Sequence, residues 1–458
     1  MVTCHNTLAI GSNITPAVVP VSAAAVSVTA KMIAAPHEKC ASHVSVARAC
    51  ASRASRGIAR AASGEPWSCV VEATVKVHHF MARACGVARA QASAEGWRDR
   101  AHALRWRRHR HRHAARPSVA AADATGGVGV DDEVSKMLNA PDVALARRAA
   151  RAAMRVIAGN ATVSIASVKH DRTVATTVDI AAQVVCREAL GDAGAAFVGE
   201  ETIVDGDEDA LRAVSHAASR SVDDVRAALE ECDGILSAPR YWCCDPLDGT
   251  KAFIEAADSG KQYVFGLARV DGERGNADVA VMIAPKWYDG CGVELVAMRG
   301  GGCFARRLDA ANDAFARVRA GQPNDLSDDA VRVVISQHES WSALPLGRAG
   351  VRPKSITPLC CGSLCKYVAV ALGEADIFIQ HPKSNGDEYV NAWDHAAGVL
   401  CCQEAGAIVS DCHGGVLDMR GPDEERRRRF VPAGGGVVVA SASIHTDVVR
   451  AYRAGLEQ

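Results

Sequence analysis

The stretch Tyr241-Trp242-Cys243-Cys244-Asp245-Pro246-Leu247-Asp248-Gly249-Thr250 constrains this chain more than any other. Its aromatic and apolar start reads as a buried strand that carries its last residues to a sheet edge. Pro246 then denies the backbone a regular ladder, and Gly249 permits a turn that a side chain would block. The result is a rigid corner at which Asp245 and Asp248 converge. Paired hard-oxygen ligands suit Mg²⁺, which keeps part of its water shell and takes further ligands from a substrate phosphate. Thr250 adds a hydroxyl two residues on, placed to hold a water. The bland alternative is a chance acidic β-turn, against which the rest of the chain speaks.

With 458 residues the chain has room for two domains and a sizeable core. Its hydrophobic share of 48% and charged share of 23% are those of a globular protein. A formal net charge of -1 offers no electrostatic case for nucleic acid or a membrane surface. No run of about 18 apolar residues appears, so a membrane span is not expected. The 17 cysteines are scattered, with neighbours at Cys243-Cys244, Cys360-Cys361 and Cys401-Cys402. They lack zinc-site spacing and read as buried thiols in a reducing compartment rather than as a disulfide framework. Cys243 and Cys244 flank the acidic corner, which leaves redox sensitivity open beside a plain core role.

The neutral total hides an asymmetry. Residues 1 to 130 are rich in Arg, Ala, Ser and His and poor in acids, with Arg105-Trp106-Arg107-Arg108-His109-Arg110-His111-Arg112-His113 the densest run. This is the composition of an organellar transit peptide. A nucleic-acid-binding arm is the competing reading. Met32 or Met81 can serve as the start, and residues 118 to 129 read as a cleavage or linker region. Disorder is expected throughout 1 to 130.

From Asp131 the texture changes. Val134, Met137, Leu138, Val143, Leu145, Ala149, Ala153, Met154 and Ile157 recur at helical spacing, and Pro141 predicts a short helix followed by a longer one. Lys169 to Asp179 runs into the mostly apolar segment Ile180 to Val185, with Asp179 at the helix start, where N-capping is the bland reading. Phe197-Val198-Gly199-Glu200-Glu201 ends a short strand. Residues 204 to 236 are acidic solvated surface. Strands are expected over 262–270, 277–283, 292–298, 302–307, 331–336, 375–380, 407–411 and 436–440. Gln337-His338 follows one of these strands. Cys361-Gly362-Ser363-Leu364-Cys365-Lys366-Tyr367 opens a helix whose hydroxyl and lysine suit an anion. Asn391-Ala392-Trp393-Asp394-His395-Ala396-Ala397-Gly398 opens another.

Asp245-Pro246-Leu247-Asp248-Gly249-Thr250, the Gly-Glu-Glu ahead of it and Trp-Asp-x-Ala-Ala-Gly behind it resemble the signatures of one family. These are the Mg²⁺-dependent, lithium-sensitive phosphomonoesterases, which include inositol monophosphatases and 3′(2′),5′-bisphosphate nucleotidases. The resemblance covers Asp131 to Glu457. It implies a fold of α/β and α+β class, a layered αβαβα sandwich behind a disordered N-terminal extension. The implied units are residues 1–130, an N-terminal α+β domain over 131–308 and a C-terminal α/β domain over 309–458.

By the same implication Glu200, Asp245, the Leu247 carbonyl, Asp248 and Asp394 bind two or three Mg²⁺. Asp179 and Thr250 orient the attacking water. Gly249, Thr250, His338, Ser363, Lys366, Gln380 and Asp394 contact substrate. Two positions depart from the family pattern: Thr173-Val174 stands where Ser-Pro is usual, and Gln380 stands where Arg is common. Lys251 and His395 point to the nucleotidase branch, and so to 3′-phosphoadenosine 5′-phosphate cleaved to AMP and phosphate, as in plant-type organellar members. The rivals are an inositol-phosphate phosphatase, a catalytically silent phosphonucleotide-binding homologue, and an RNA-binding protein using the basic N-terminus. The expected partner is a phosphorylated small molecule, with no nucleic acid and no membrane. The expected state is a monomer or homodimer, in the chloroplast or alternatively the mitochondrion.

Overall fold

The computed structural model describes residues 129–160, 165–168, 174–194, 196–203, 206–230, 238–255, 261–310, 314–326, 331–360, 362–381, 390–420, 429–430 and 436–458. The readings of residues 1–130 as a targeting extension and of Thr173 as a loop position thus fall almost wholly outside the described residues.

Pro141 separates two helices as its position predicts: α1 (Gly129–Leu138) and α2 (Pro141–Gly159). The proline sits in the first turn, where its missing N–H costs nothing. Next come a hairpin of β1 (Ile165–Val168) and β2 (Val174–Thr176), helix α3 (Thr177–Leu190) and strand β3 (Phe197–Gly199). The acidic stretch forms two surface helices, α4 (Glu208–Ala218) and α5 (Val222–Leu229), capped by Asp207 and Ser221. Strand β4 (Arg240–Asp248) runs into the corner, and one helical turn, α6 (Thr250–Glu255), follows. Strands β5 (Val264–Asp271), β6 (Asn276–Ala284), β7 (Val293–Met298), β8 (Gly302–Arg307) and β9 (Ala316–Arg317) complete a seven-stranded sheet in sequential order from β3. Only the β3–β4 pair in it is parallel.

The second half contributes β10 (Arg332–Ser336), β11 (Ser355–Leu359), α7 (Leu364–Ala371), β12 (Ile377–Gln380), β13 (Val390–Asn391), α8 (Ala396–Glu404), β14 (Ala407–Asp411), β15 (Arg429–Phe430), β16 (Val437–Ser441) and α9 (His445–Leu456). Five of its strands form a mixed sheet in the order β11-β10-β12-β16-β14. β10 runs parallel to both β11 and β12. The carboxyl ends of these three strands, the usual ligand edge of such a sheet, therefore share one side of the molecule.

Alternation along the strands sets the layers. Trp242, Cys244, Phe265, Leu267 and Val281 pack with Val143, Ala146, Ala150 and Cys186 of the outer helices. The opposite-facing Tyr241, Cys243, Ala268 and Met282 pack with Leu364, Tyr367, Val368, Ala397 and Cys401 of α7 and α8. The same middle layer takes Val334, Phe378, Val437 and Val439 from the five-stranded sheet. The far face of that sheet, with Val333, Ile335, Ile377 and Val438, covers Val448 and Tyr452 of α9. The order is helices, sheet, helices, sheet, helix. It is the expected αβαβα sandwich.

Among the described cysteines nine carry free thiols, and eight of these are buried. Cys360 is disulfide-bonded, an exception among cysteines that are otherwise mostly thiols, as the sequence suggests. Burial pushes the Cys243 thiol up to about 12 and holds Cys244, which hydrogen-bonds Cys186, well above its usual range. Such thiols are inert core residues.

Candidate functional site: an acidic corner between two helix starts

The corner is built as its residues dictate. The β4–β5 register shifts between Asp245, which faces Gly266, and Asp248, which faces Val264, so Pro246 and Leu247 bulge out of the ladder. The Leu247 N–H donates to Asp245 Oδ1 at 2.9 Å, which turns that carboxylate back over the corner. Gly249 follows with φ +95°. The Thr250 hydroxyl donates to the Leu247 carbonyl at 3.2 Å and fastens the first turn of α6.

Two further carboxylates meet Asp245. The parallel pairing of β3 with β4 sets Gly199 against Cys244, and the Glu200 N–H donates to the Cys244 carbonyl at 3.1 Å. Glu200 thus leaves its strand beside Asp245. Asp394 arrives from the start of α8, where Asn391 Nδ2 donates to its Oδ2 at 3.2 Å. Glu200, Asp245 and Asp394 each present an oxygen, and the three lie within 4.8 Å of one another.

Asp248 faces a different neighbour. Its carboxylate accepts from the backbone N–H groups of Ser363 at 3.2 Å and Leu364 at 2.5 Å, at the start of α7. Gly362, with φ +83°, makes the approach feasible, because a Cβ there would fall 2.3 Å from Asp248 Oδ1. Lys366 is 3% exposed, and its Nζ donates to the Gly362 carbonyl. The Ser363 hydroxyl donates to the Asp394 carbonyl at 2.7 Å. Ser363 and Lys366, two of the residues expected from the sequence to contact substrate, are therefore turned onto the framework of the site.

The electrostatics follow from crowding. Burial, then the charges of Glu200, Asp248 and Asp394, hold the Asp245 carboxyl well above the usual range. It also shares a hydrogen bond with Glu200. Burial raises Asp248 to about 7, against the opposing pull of Lys366 and the Leu364 and Ser363 amides. Like charges packed this closely out of water are relieved by a shared proton or by a cation. An all-oxygen donor set fits a hard divalent cation.

Asp179 is fully buried in a reciprocal capping box. Its Oδ1 accepts from the Thr176 hydroxyl at 2.7 Å, and its Oδ2 accepts from the Thr176 N–H at 3.1 Å. Helical turn α6, with Thr250, packs against β2, the strand that ends at Thr176. His338 is exposed after β10 and Gln380 is half-buried at the end of β12. Both sit on the carboxyl edge that also leads from Leu359 toward Ser363, where the Gln337 N–H donates to the Leu359 carbonyl at 2.9 Å.

Sequence reasoning assigned no bracing role to Asn391, Tyr367, His395 or Gln183. Asn391 braces Asp394, as above. Tyr367 and His395 join α7 to α8 through a buried 2.7 Å hydrogen bond between the hydroxyl and Nδ1. Gln183 binds the backbone of Glu201. Only Gln183 left a usable trace in the sequence: it lies four residues after Asp179 on the same helix face.

A layered αβαβα sandwich with a carboxylate corner at its helix starts is the architecture of a known class, and the sequence profile of the Inositol monophosphatase family matches residues 135–456. The chain belongs to that family. It is 34% identical over 227 residues to the Arabidopsis thaliana protein described as a putative 3′(2′),5′-bisphosphate nucleotidase, mitochondrial, covering 46% of this chain and 55% of that one. A second Arabidopsis thaliana relative, a probable 3′(2′),5′-bisphosphate nucleotidase 4, is 28% identical over 248 residues, covering 52% of this chain and 66% of that one. The chain thus spans between about half and two-thirds of these relatives' lengths. Among solved structures, the extragenic suppressor protein SuhB from Bartonella henselae aligns at 20% identity with a TM-score of 0.46, over 70% of this chain and 98% of that one.

Proposed function

We propose that this chain is a Mg²⁺-dependent phosphomonoesterase that hydrolyses 3′-phosphoadenosine 5′-phosphate to AMP and phosphate. The observation that carries the reading is the convergence of Glu200, Asp245 and Asp394, whose oxygens all lie within 4.8 Å. With Asp248 and the Leu247 carbonyl adjoining, this donor set suits two or three ions. Bound there, Mg²⁺ supplies positive charge to the oxygens of the phosphate as they gain charge in the reaction.

The chain's own residues supply the rest. Asp179, held by Thr176, accepts a proton from the attacking water, and the Thr250 hydroxyl orients that water. The start of α7 spends its Ser363 and Leu364 amides on Asp248 and so holds that carboxylate at the corner. In this reading His338 and Gln380, on the carboxyl edge of the second sheet, contact the rest of the substrate. The nucleotide preference draws on Lys251, on His395 and on the names of the two Arabidopsis relatives. An organellar address, chloroplast or mitochondrion, draws on the Arg-rich N-terminus and on the word mitochondrial in the name of one relative.

The second reading is an inositol-phosphate phosphatase, kept open by Gln380, which stands where family members commonly carry Arg. Phosphate release from 3′-phosphoadenosine 5′-phosphate and from inositol 1-phosphate, measured in parallel with and without Mg²⁺, separates the two. Preference for the nucleotide is expected. Preference for the inositol phosphate would move the assignment to the second reading. Release from neither would leave a silent phosphonucleotide-binding homologue.

A further inference from the structure

We propose that Gln183 is a positioning residue of the acidic corner: its carboxamide clamps the Glu201 backbone and so aims Glu200 at the cation site. The inference rests on the reading of Glu200, Asp245 and Asp394 as that site.

β3 ends at Gly199, and among the described residues no strand lies on its side away from β4. Gln183 fills the role of that missing neighbour. Its Nε2 donates to the Glu201 carbonyl at 2.7 Å, and the Glu201 N–H donates to its Oε1 at 2.9 Å. The pair of bonds copies the exchange between facing residues of two strands. On the other side the Glu200 N–H donates to the Cys244 carbonyl at 3.1 Å. The backbone on both sides of the Glu200 side chain is therefore tied. One tie runs to β4, which carries Asp245, and the other to α3, which carries Asp179.

The fit is built for this contact. A Cβ on Gly199 would fall 2.1 Å from both Cδ and Oε1 of Gln183, so only glycine lets the amide lie flat against the strand end. Gln183 is 4% exposed, and its helix neighbours Val178, Ala182 and Cys186 are buried and apolar. An amide in such surroundings is costly unless both its ends are bonded. Here both ends are spent on the backbone N–H and C=O of Glu201, the residue that follows a carboxylate of the corner. A residue needed only to fill space would be apolar.

The test is Mn²⁺ binding to the full chain, followed by loss of the free-ion signal in electron paramagnetic resonance, alongside the melting temperature. Substitutions behind a metal ligand weaken affinity by roughly 10- to 100-fold. Gln183→Met keeps the length and removes both hydrogen bonds. It should weaken Mn²⁺ binding by about tenfold or more, and excess Mg²⁺ should largely restore phosphate release. Gln183→Glu preserves shape and the acceptor for the Glu201 N–H, and carries the test if the Met variant does not fold. Its added negative charge by itself favours a cation, so weaker Mn²⁺ binding in this variant isolates the lost donor. Unchanged Mn²⁺ affinity with only a lower melting temperature, in either folded variant, would reduce Gln183 to a structural tie. A wild-type chain that binds no Mn²⁺ would remove the cation site itself, and the clamp's purpose with it.

Discussion

Thr176 and Asp179 hold each other in a closed loop of three hydrogen bonds: both oxygens of the carboxylate accept from Thr176, and the Asp179 N–H donates back to the Thr176 hydroxyl at 3.3 Å. The bond pattern fixes the orientation of a fully buried acid at a helix start. The capping role and the catalytic role are compatible, since capping aims the carboxyl without consuming all of its lone pairs.

Substituting Asp179→Asn separates the two roles. The amide cannot accept at both oxygens, so one capping bond is lost, at a cost of about 1 kcal/mol. If Asp179 is the general base, turnover falls by roughly 10²- to 10⁴-fold while the fold survives. Steady-state phosphate release and a thermal melt check the two together. Wild-type turnover in a folded Asp179→Asn chain would refute the assignment. Thr250→Ala is expected to follow the same pattern, with a loosened α6 as its only structural trace.

A second expectation concerns stability away from the corner. Glu294 on β7 is completely buried, and Arg147 Nε meets it at 3.0 Å from α2, while Arg306 Nη2 meets it at 2.6 Å from β8. Removing one partner of a buried pair leaves an uncompensated charge and costs roughly 3–5 kcal/mol. Glu294→Ala should therefore shift the denaturant midpoint strongly. In whatever fraction remains folded, Mn²⁺ affinity should stay unchanged. A midpoint within experimental error of wild type would show that the arginines find other partners.

These residues also mark where sequence reasoning stops. The corner was legible because Pro246, Gly249 and two aspartates encode a local backbone event that no distant contact needs to complete. The layering was legible only through the resemblance of the signature segments to a family, while Pro141 by itself set the boundary between the first two helices. The role of Arg147 is not legible in the sequence, because its partner lies on a strand 147 residues away. Asp248 was read as equivalent to Asp245, yet the corner turns it toward the Ser363 and Leu364 amides, a contact made across the fold. Spacing within one segment can place a carboxylate on an edge. It cannot say which neighbour the edge will meet.

Gly362 gives a direct check on that long-range contact. Its φ of +83° is strained for any other residue, and a Cβ would collide with the Asp248 carboxylate. Gly362→Ala should therefore cost at least about 1 kcal/mol of stability. It should also push Asp248 off the α7 start. The expected signature is a higher Mg²⁺ concentration for half-maximal phosphate release together with a lower melting temperature. A variant that melts lower but keeps its Mg²⁺ dependence would show that the Asp248–α7 contact is structural alone.

The pH dependence of stability has a source on the far side of the molecule. His445 opens α9 and is buried, with Nε2 2.9 Å from the Ser410 hydroxyl. That hydroxyl also lies 2.8 Å from the Asp411 carbonyl, to which it donates, so His445 Nε2–H donates to the hydroxyl oxygen from a neutral ring. Burial lowers the pKa of this imidazole below its usual value. The unfolded chain therefore takes up a proton, near a pKa of about 6.5, before the folded chain does. This contribution to stability is fully present above that pH and is lost as pH falls toward the folded-state value, so acid favours unfolding. The denaturant midpoint should fall between pH 7.5 and pH 5, and His445→Gln, which keeps a donor without the titration, should flatten part of that slope. An identical slope in the variant would assign the acid sensitivity to other groups.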